Sequence, residues 1–264
     1  MAATRTALVT GASGGIGEAF ARLLAADDYR LVLVARREDT LVALAKELGH
    51  GHRVVAADLS CRGEAERVAV EAGPVDVLIN NAGHADFGPF VDADLAKNVG
   101  MMELNMVSLT VLTRLVVEGM LERHEGRILN VASTAAFQAG PLMSVYYASK
   151  AYVLSFSEAL AEELRGTGVT VTALCPGPTA SGFQARAEME SSRLVKGRTL
   201  AGASDVARVG YRAMQRGDVV VVPGLRNKIF ATSVRFTPRS VLRRVVHRLQ
   251  KPTGDAERLD GRPR

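Results

Sequence analysis

Residues 6–26 read Thr-Ala-Leu-Val-Thr-Gly-Ala-Ser-Gly-Gly-Ile-Gly-Glu-Ala-Phe-Ala-Arg-Leu-Leu-Ala-Ala. The apolar run Thr6–Thr10 predicts a buried strand, and the amphipathic stretch Gly15–Ala26 predicts a helix. Between them Gly11, Gly15 and Gly17 follow a G-x-x-x-G-x-G spacing, with Ser13, Gly14 and Ile16 in the same turn. Glycine lets a backbone turn tightly and approach a pyrophosphate, which the positive end of the next helix attracts. A strand, a glycine turn and a helix in that order predict nucleotide binding.

The alternation continues outward. Further strands are expected at Arg30–Ala35, 53–57, 75–79, 127–131, Val169–Leu174 and 219–222. Helices are expected at Glu38–Leu48, 62–72, 92–123 with a break near Val99-Gly100, 144–165, and from a Ser204 cap to about 216. Strands separated by helices give a doubly wound α/β fold, a single parallel sheet of about seven strands with helices on both faces. In such a sheet ligands bind beyond the carboxyl ends of the strands. The glycine loop, Arg36, Asp58, Asn80, Ser133 and Pro176 each follow a predicted strand, so they share one rim.

Ser133 ends one strand, and Tyr146 and Lys150 follow at i and i+4 on a predicted helix. Those positions share a helix face. An ammonium beside a phenol lowers its pKa from about 10 and makes it a usable general acid or base. Taken alone, the pair also fits a half-buried tyrosine and a surface lysine. Strand two ends in Ala35-Arg36-Arg37, with no acid to accept from a ribose 2′-hydroxyl. Arg36, with Arg37 beside it, can instead grip a 2′-phosphate through a charged fork, which favours NADPH over NADH. The alternative is solvated charge at a helix entry. Asp58, beside Leu59, either accepts from an adenine amino group or caps a turn.

Together these motifs resemble the short-chain dehydrogenase/reductase family, in its NADPH-preferring group. The resemblance covers about residues 6–222. Thr10 to Gly17 is similar to the family's cofactor loop, and Asn80-Asn81-Ala82-Gly83 to its strand-four motif. Ser133, Tyr146 and Lys150 match its catalytic triad, and Asn105 its fourth catalytic position. Pro176-Gly177 matches the turn that faces the nicotinamide, followed by Thr179 and then Ser181 where the family commonly has threonine. The resemblance implies a Rossmann-type fold and hydride transfer between NADP(H) and a small carbonyl or alcohol. It gives Tyr146 the proton, Ser133 the substrate oxygen, Lys150 the ribose hydroxyls, and Asn105 a water that links Lys150 to solvent. It also implies a homodimer or homotetramer built on the helices at 99–123 and 144–165.

His84, Phe87, Gln138, Met143 and Phe183 fall on loops that should border the substrate, or simply pack those loops. Residues 180–202 are expected to form a lid, with Met189 a candidate apolar contact. His84 has no partner ligands near it in sequence, so no metal is expected.

The chain has 264 residues, 47% of them hydrophobic, enough for one large domain over about 1–223. Two separated cysteines, Cys61 and Cys175, fit a reduced cytoplasmic setting. No signal peptide is read at the N-terminus, and no apolar run of about 20 residues for a membrane span. Net charge is +5. Much of the basic charge lies after Pro223, where no acidic residue occurs between Asp218 and Asp255. Val241, Leu242, Val245, Val246 and Leu249 make an apolar stripe there at helical spacing. Residues 224–251 therefore read as a basic amphipathic helical extension, and 252–264 as a disordered tail. The extension can pack on its own domain, at a subunit interface or on an anionic membrane. No recognition motif for nucleic acid accompanies it. Competing readings are a non-catalytic NADP(H)-binding regulator and a membrane-peripheral reductase of lipid-like carbonyls.

Overall fold

The computed structural model describes residues 5–183, 192 and 200–251. Continuous apolar runs need cover on both faces, and the structure provides it. The strands are β1 (Thr6–Thr10), β2 (Arg30–Ala35), β3 (Arg53–Ala56), β4 (Val77–Asn80), β5 (Gly126–Val131), β6 (Val169–Leu174), β7 (Thr179–Ala180), β8 (Ala201–Gly202) and β9 (Val220–Val221). Seven form one parallel sheet in the order β3-β2-β1-β4-β5-β6-β9, while β7 pairs with β8 alone. The order reverses beside β1, so the crevice of the sheet opens at the glycine loop.

The helices are α1 (Gly15–Ala26), α2 (Glu38–Leu48), α3 (Glu64–Ala72), α4 (Leu95–Met102), α5 (Ser108–Glu122), α6 (Ser144–Glu163), α7 (Ala203–Arg216), α8 (Leu225–Ser233) and α9 (Arg239–Gln250). Alternation along β1 sends Ala7 and Val9 to one face and Leu8 to the other. On the first face Phe20 and Leu24 of α1, Leu41 of α2 and Met214 of α7 cover the sheet. On the second, Val68 of α3 and Leu112, Val116 and Met120 of α5 do so. Burying each such leucine or phenylalanine contributes about 1.5–3 kcal/mol.

Several expected boundaries move for local reasons. α3 starts at Glu64, because Gly63 has φ 84, a left-handed conformation outside a helix. α7 is capped by extended Gly202 rather than by Ser204, which lies inside the first turn. No break occurs at Val99-Gly100. A helical glycine costs only about 1 kcal/mol, and burial of the adjacent Met101 outweighs it. The irregularity falls instead at Glu103–Val107, a π-turn around Asn105. The continuous helix Leu95–Glu122 does have the length and composition of a membrane span, contrary to the sequence reading. Its buried residues pack on the sheet as those of a core helix do.

The C-terminal extension is two helices, not one, and α9 begins after Pro238. Leu242 and Val246 of α9 join a buried cluster with Met143, Tyr146 and Tyr147. The predicted stripe is therefore split: Leu242 and Val246 are buried and Leu249 is half-buried, while Val241 and Val245 are exposed.

Candidate active site

Hydrogen bonds between neighbouring strand ends build the floor of the site. Thr10, the last residue of β1, donates its hydroxyl to the Ile79 carbonyl at 3.2 Å. The same oxygen accepts from the backbone N–H of Asn81 at 2.9 Å and of Ala82 at 3.0 Å. Asn81 returns its side-chain amide to the Thr10 and Gly11 carbonyls, at 2.9 and 3.3 Å. Gly11 and Gly15 have φ of 66° and 59°, a region that favours glycine. A Cβ on Gly17 would lie 2.4 Å from both the Asn81 amide and the Gly11 carbonyl. Gly17 therefore lets α1 approach the loop from behind and does not line the cavity. Asn80 also turns away from the rim. It donates to Thr113 at 3.0 Å and to Asn130 at 2.9 Å inside the protein.

A cavity of about 1170 Å³ runs along this floor. At one end it meets Gly11, Ser13, Gly14, Gly15 and Ile16, then Arg36, Arg37, Asp58 and Leu59. Arg37 donates to the Ser13 carbonyl at 2.7 Å and its hydroxyl at 3.2 Å, so it braces the loop. Arg36 is exposed and lies 3.8 Å from Asp58. Asp58 accepts from the Ser60 hydroxyl at 2.7 Å and from its backbone N–H at 3.1 Å, closing a turn while lining the cavity. Partial burial works to raise the Asp58 carboxyl pKa, but the Ser60 bonds and Arg36 outweigh it and hold it below its ordinary value. A turn with no room for a Cβ at Gly11 or Gly15, two arginines and this volume fit a dinucleotide.

The other end gathers the expected catalytic side chains. Ser133 starts a 3-10 turn after β5. Its oxygen accepts from the Ala135 N–H at 3.1 Å, and its hydroxyl donates toward the Pro176 carbonyl at 3.4 Å. Tyr146, on α6, lines the cavity with Ser133, whose hydroxyl favours the ionised phenol. Lys150, one turn on, donates to the Val131 carbonyl at 2.8 Å, and its nitrogen lies 5.9 Å from the Tyr146 ring centre. The sequence reading had the lysine depressing the phenol's pKa. In the protein alone burial wins: the Tyr146 phenol is pushed up to about 12, although the Ser133 hydroxyl opposes the shift. Burial also lowers the Lys150 ammonium to about 8.

Asn105 is buried and does not line the cavity. Its amide accepts from the His84 N–H and donates to the His84 carbonyl, both at 2.9 Å, and donates to Ser149 at 3.0 Å. The π-turn thus aims this side chain at the backbone of the loop after β4. A Cβ on Gly83 would meet both Asn105 and Lys150, at 3.3 and 3.5 Å, which shows how close the three lie.

Ala82, Gly83, Pro176, Gly177, Thr179 and Ser181 line the cavity as expected, with His84, Gln138, Met143 and Phe183. The Phe183 ring lies 5.6 Å from that of Tyr146. Phe87 instead packs against the cluster around Tyr146 and is a loop anchor. The stretch 180–202 is tied at its two ends, since Thr179–Ala180 pairs with Ala201–Gly202. Met189 and most of that stretch lie outside the described residues.

Sequence reasoning missed the roof. Tyr147, Asn227, Phe230, Val246 and Leu249 also line the cavity, four of them from the C-terminal extension. Asn227 sits where a Cβ on Gly177 would be 2.7 Å away. Gln250, fully buried, donates its amide to the Tyr147 hydroxyl. The α9 stripe was the available signal, but nothing local says which surface such a stripe covers.

A crevice with a phosphate cradle at one end and a half-buried serine beside a buried tyrosine and lysine at the other is that of a dinucleotide-dependent oxidoreductase. The chain belongs to the short-chain dehydrogenase family, whose model matches residues 5–191. It is 33% identical over 241 residues to the ketoacyl reductase HetN of Nostoc sp., covering 89% of this chain and 79% of that protein. The matched segments span 60%, 72% and 79% of the length of three curated relatives. A short-chain dehydrogenase from Sphingobium yanoikuyae, solved in complex with NADPH, is similar with a TM-score of 0.79 and 30% identity, over 94% of this chain and 99% of that one. A family member from Burkholderia phymatum, solved with NAD, has a TM-score of 0.79 and 25% identity, over 95% of this chain and 98% of that one. The family uses nicotinamide cofactors, and this protein is an oxidoreductase of that family.

Proposed function

We propose that this protein reduces a ketone with NADPH and that Tyr146 is its proton donor. The observation that carries the proposal is the convergence of Ser133, Tyr146 and Lys150 at the inner end of the cavity. When bound, the reduced nicotinamide supplies a hydride. Ser133 offers its hydroxyl to the substrate oxygen, and Tyr146 passes its proton to that oxygen as negative charge develops. A phenol with its pKa pushed up to about 12 is protonated at neutral pH, the form that reduction needs. Lys150, fixed by the Val131 carbonyl, supplies the nearby positive charge that limits the cost of the phenolate left behind. Asn105 positions this set by holding the His84 backbone.

Preference for NADPH rests on Arg36, exposed at the end of β2 with no acidic residue in its place. Met143, Phe183, Phe230, Val246 and Leu249 make the substrate end mainly apolar. Gln138 adds a buried amide oxygen with no hydrogen-bond partner among the described residues. An acyl chain beside the ketone suits such walls, and the ketoacyl reductase relative supports that choice. Val107, Leu115 and Tyr152 are exposed on the helices by which a homodimer or homotetramer would form. The exposed free Cys61 is consistent with a cytoplasmic setting.

NADPH oxidation measured against 3-oxoacyl thioesters and cyclic ketones tests the proposal. Tyr146→Phe should lower turnover by about 100-fold or more while NADPH still binds. Equal turnover in both proteins would remove Tyr146 as proton donor.

A further inference from the structure

We propose that the outward face of α8 and α9 docks on an anionic membrane surface. The inward side of α8 carries Asn227 against Gly177, the cavity-lining Phe230 and buried Ala231. Two of its large apolar side chains point the other way. Leu225 and Ile229, one turn apart, are 74% and 60% exposed, and Phe236, just after the helix, is 84% exposed. Arg226 and Lys228 flank that apolar strip and are themselves exposed. A helix that leaves leucine and isoleucine in water on its outer side departs from an ordinary surface helix, whose outer face is polar.

The next helix also leaves apolar side chains in water. Leu242 and Val246 are buried, while Val241 and Val245 remain exposed on one flank. Arg239, Arg243, Arg244 and Arg248 occupy the rest of its outer surface, and Arg235 lies between the helices. No acidic residue occurs between Asp218 and Asp255, so the chain supplies this face with no opposite charge of its own over that span. Exposed apolar side chains interleaved with arginine and lysine are what a leaflet rich in acidic headgroups attracts, by burial and by charge together. A protein partner of mixed charge would be matched by a mixed surface, as would a second copy of this helix pair, whose like charges repel. The charge selects the membrane. Because Asn227 and Phe230 on the opposite side of α8 line the cavity, docking would bring the cavity wall within one helix thickness of the lipid.

The test is flotation of the full chain with vesicles of phosphatidylcholine containing about one-third phosphatidylserine, beside pure phosphatidylcholine vesicles. The protein should float with the acidic vesicles only, and raised salt should release much of it. The triple variant Leu225→Ser, Ile229→Ser, Phe236→Ser should lose binding by about 30-fold. Its NADPH affinity should not change, because none of the three lines the cavity. Failure of the native chain to float overturns the proposal, as does equal flotation of the variant. A native chain whose larger species on size exclusion falls apart in the variant would also overturn it, assigning the face to a second copy. Flotation does not depend on turnover, so its failure would leave the proposed reaction untouched.

Discussion

The two ends of the cavity are built by different means. At the glycine loop the walls are backbone, locked by Thr10 and Asn81 across two adjacent strands. At the substrate end they are side chains, many from α8 and α9, far along the chain. Backbone walls tolerate almost no change, because glycine positions leave no room for a Cβ. Side-chain walls can be altered one residue at a time while the fold persists.

The largest break in this contrast should come from Gly17→Ala. The added methyl meets backbone and a bonded amide at 2.4 Å. Thermal or urea unfolding should show a loss of about 3 kcal/mol, with NADPH binding lost in parallel. A stable variant that still binds NADPH would show that the loop can give. Leu242→Ala should cost about 2–3 kcal/mol. It should lower kcat/KM for the ketone by about 10-fold while the Kd for NADPH stays within about 2-fold, since the roof touches only one end. Equal losses in both would make the two ends a single unit.

Arg36→Ala sharpens the cofactor end. A charged hydrogen bond is worth about 1.5–3 kcal/mol, so KM for NADPH should rise by about 10-fold or more and KM for NADH should hardly move. An unchanged preference would transfer the 2′-phosphate to Arg37 and Ser13.

The smallest effect concerns pH. Lys150 falls from 10.5 to about 8 on folding. Between those values the unfolded lysine holds more protons, so its own contribution to stability rises with pH above about 8. Tyr146, pushed up to about 12 from 10.0, reverses the trend above pH 10. Relative to Lys150→Met, the native protein should gain about 1–2 kcal/mol between pH 8 and 10 in chemical denaturation. A difference that is flat with pH would mean that the lysine is better solvated than its burial indicates.

The cofactor end was legible because strand alternation and glycine spacing act within a few residues. β1, α1, β2, α2 and β6 match their expected limits. The expected catalytic residues Ser133, Tyr146 and Lys150 also meet, since a strand end and an i, i+4 pair fix them. The π-turn at Asn105 was not legible, for it arises where a helix adjusts to the His84 loop rather than from its own composition. The opposite shift of Tyr146 depends on burial, which spacing cannot express. The roof was visible as a stripe but not as a roof. Gln250 and Tyr147 meet across 103 residues, and no local pattern names the partner of a contact that long.

That contact also sets an order of events during synthesis. The ribosome delivers roughly 5–20 residues per second from the N-terminus, and domains fold as they emerge. β9 completes the sheet at Val221, whereas the cavity is closed only when Gln250 reaches Tyr147. Under the proposed function, a nascent chain would hold its nucleotide before the substrate end has its roof. Chains stopped soon after Pro223 are expected to sequester NADPH without consuming it, so premature termination would yield a cofactor sink and not merely a missing enzyme.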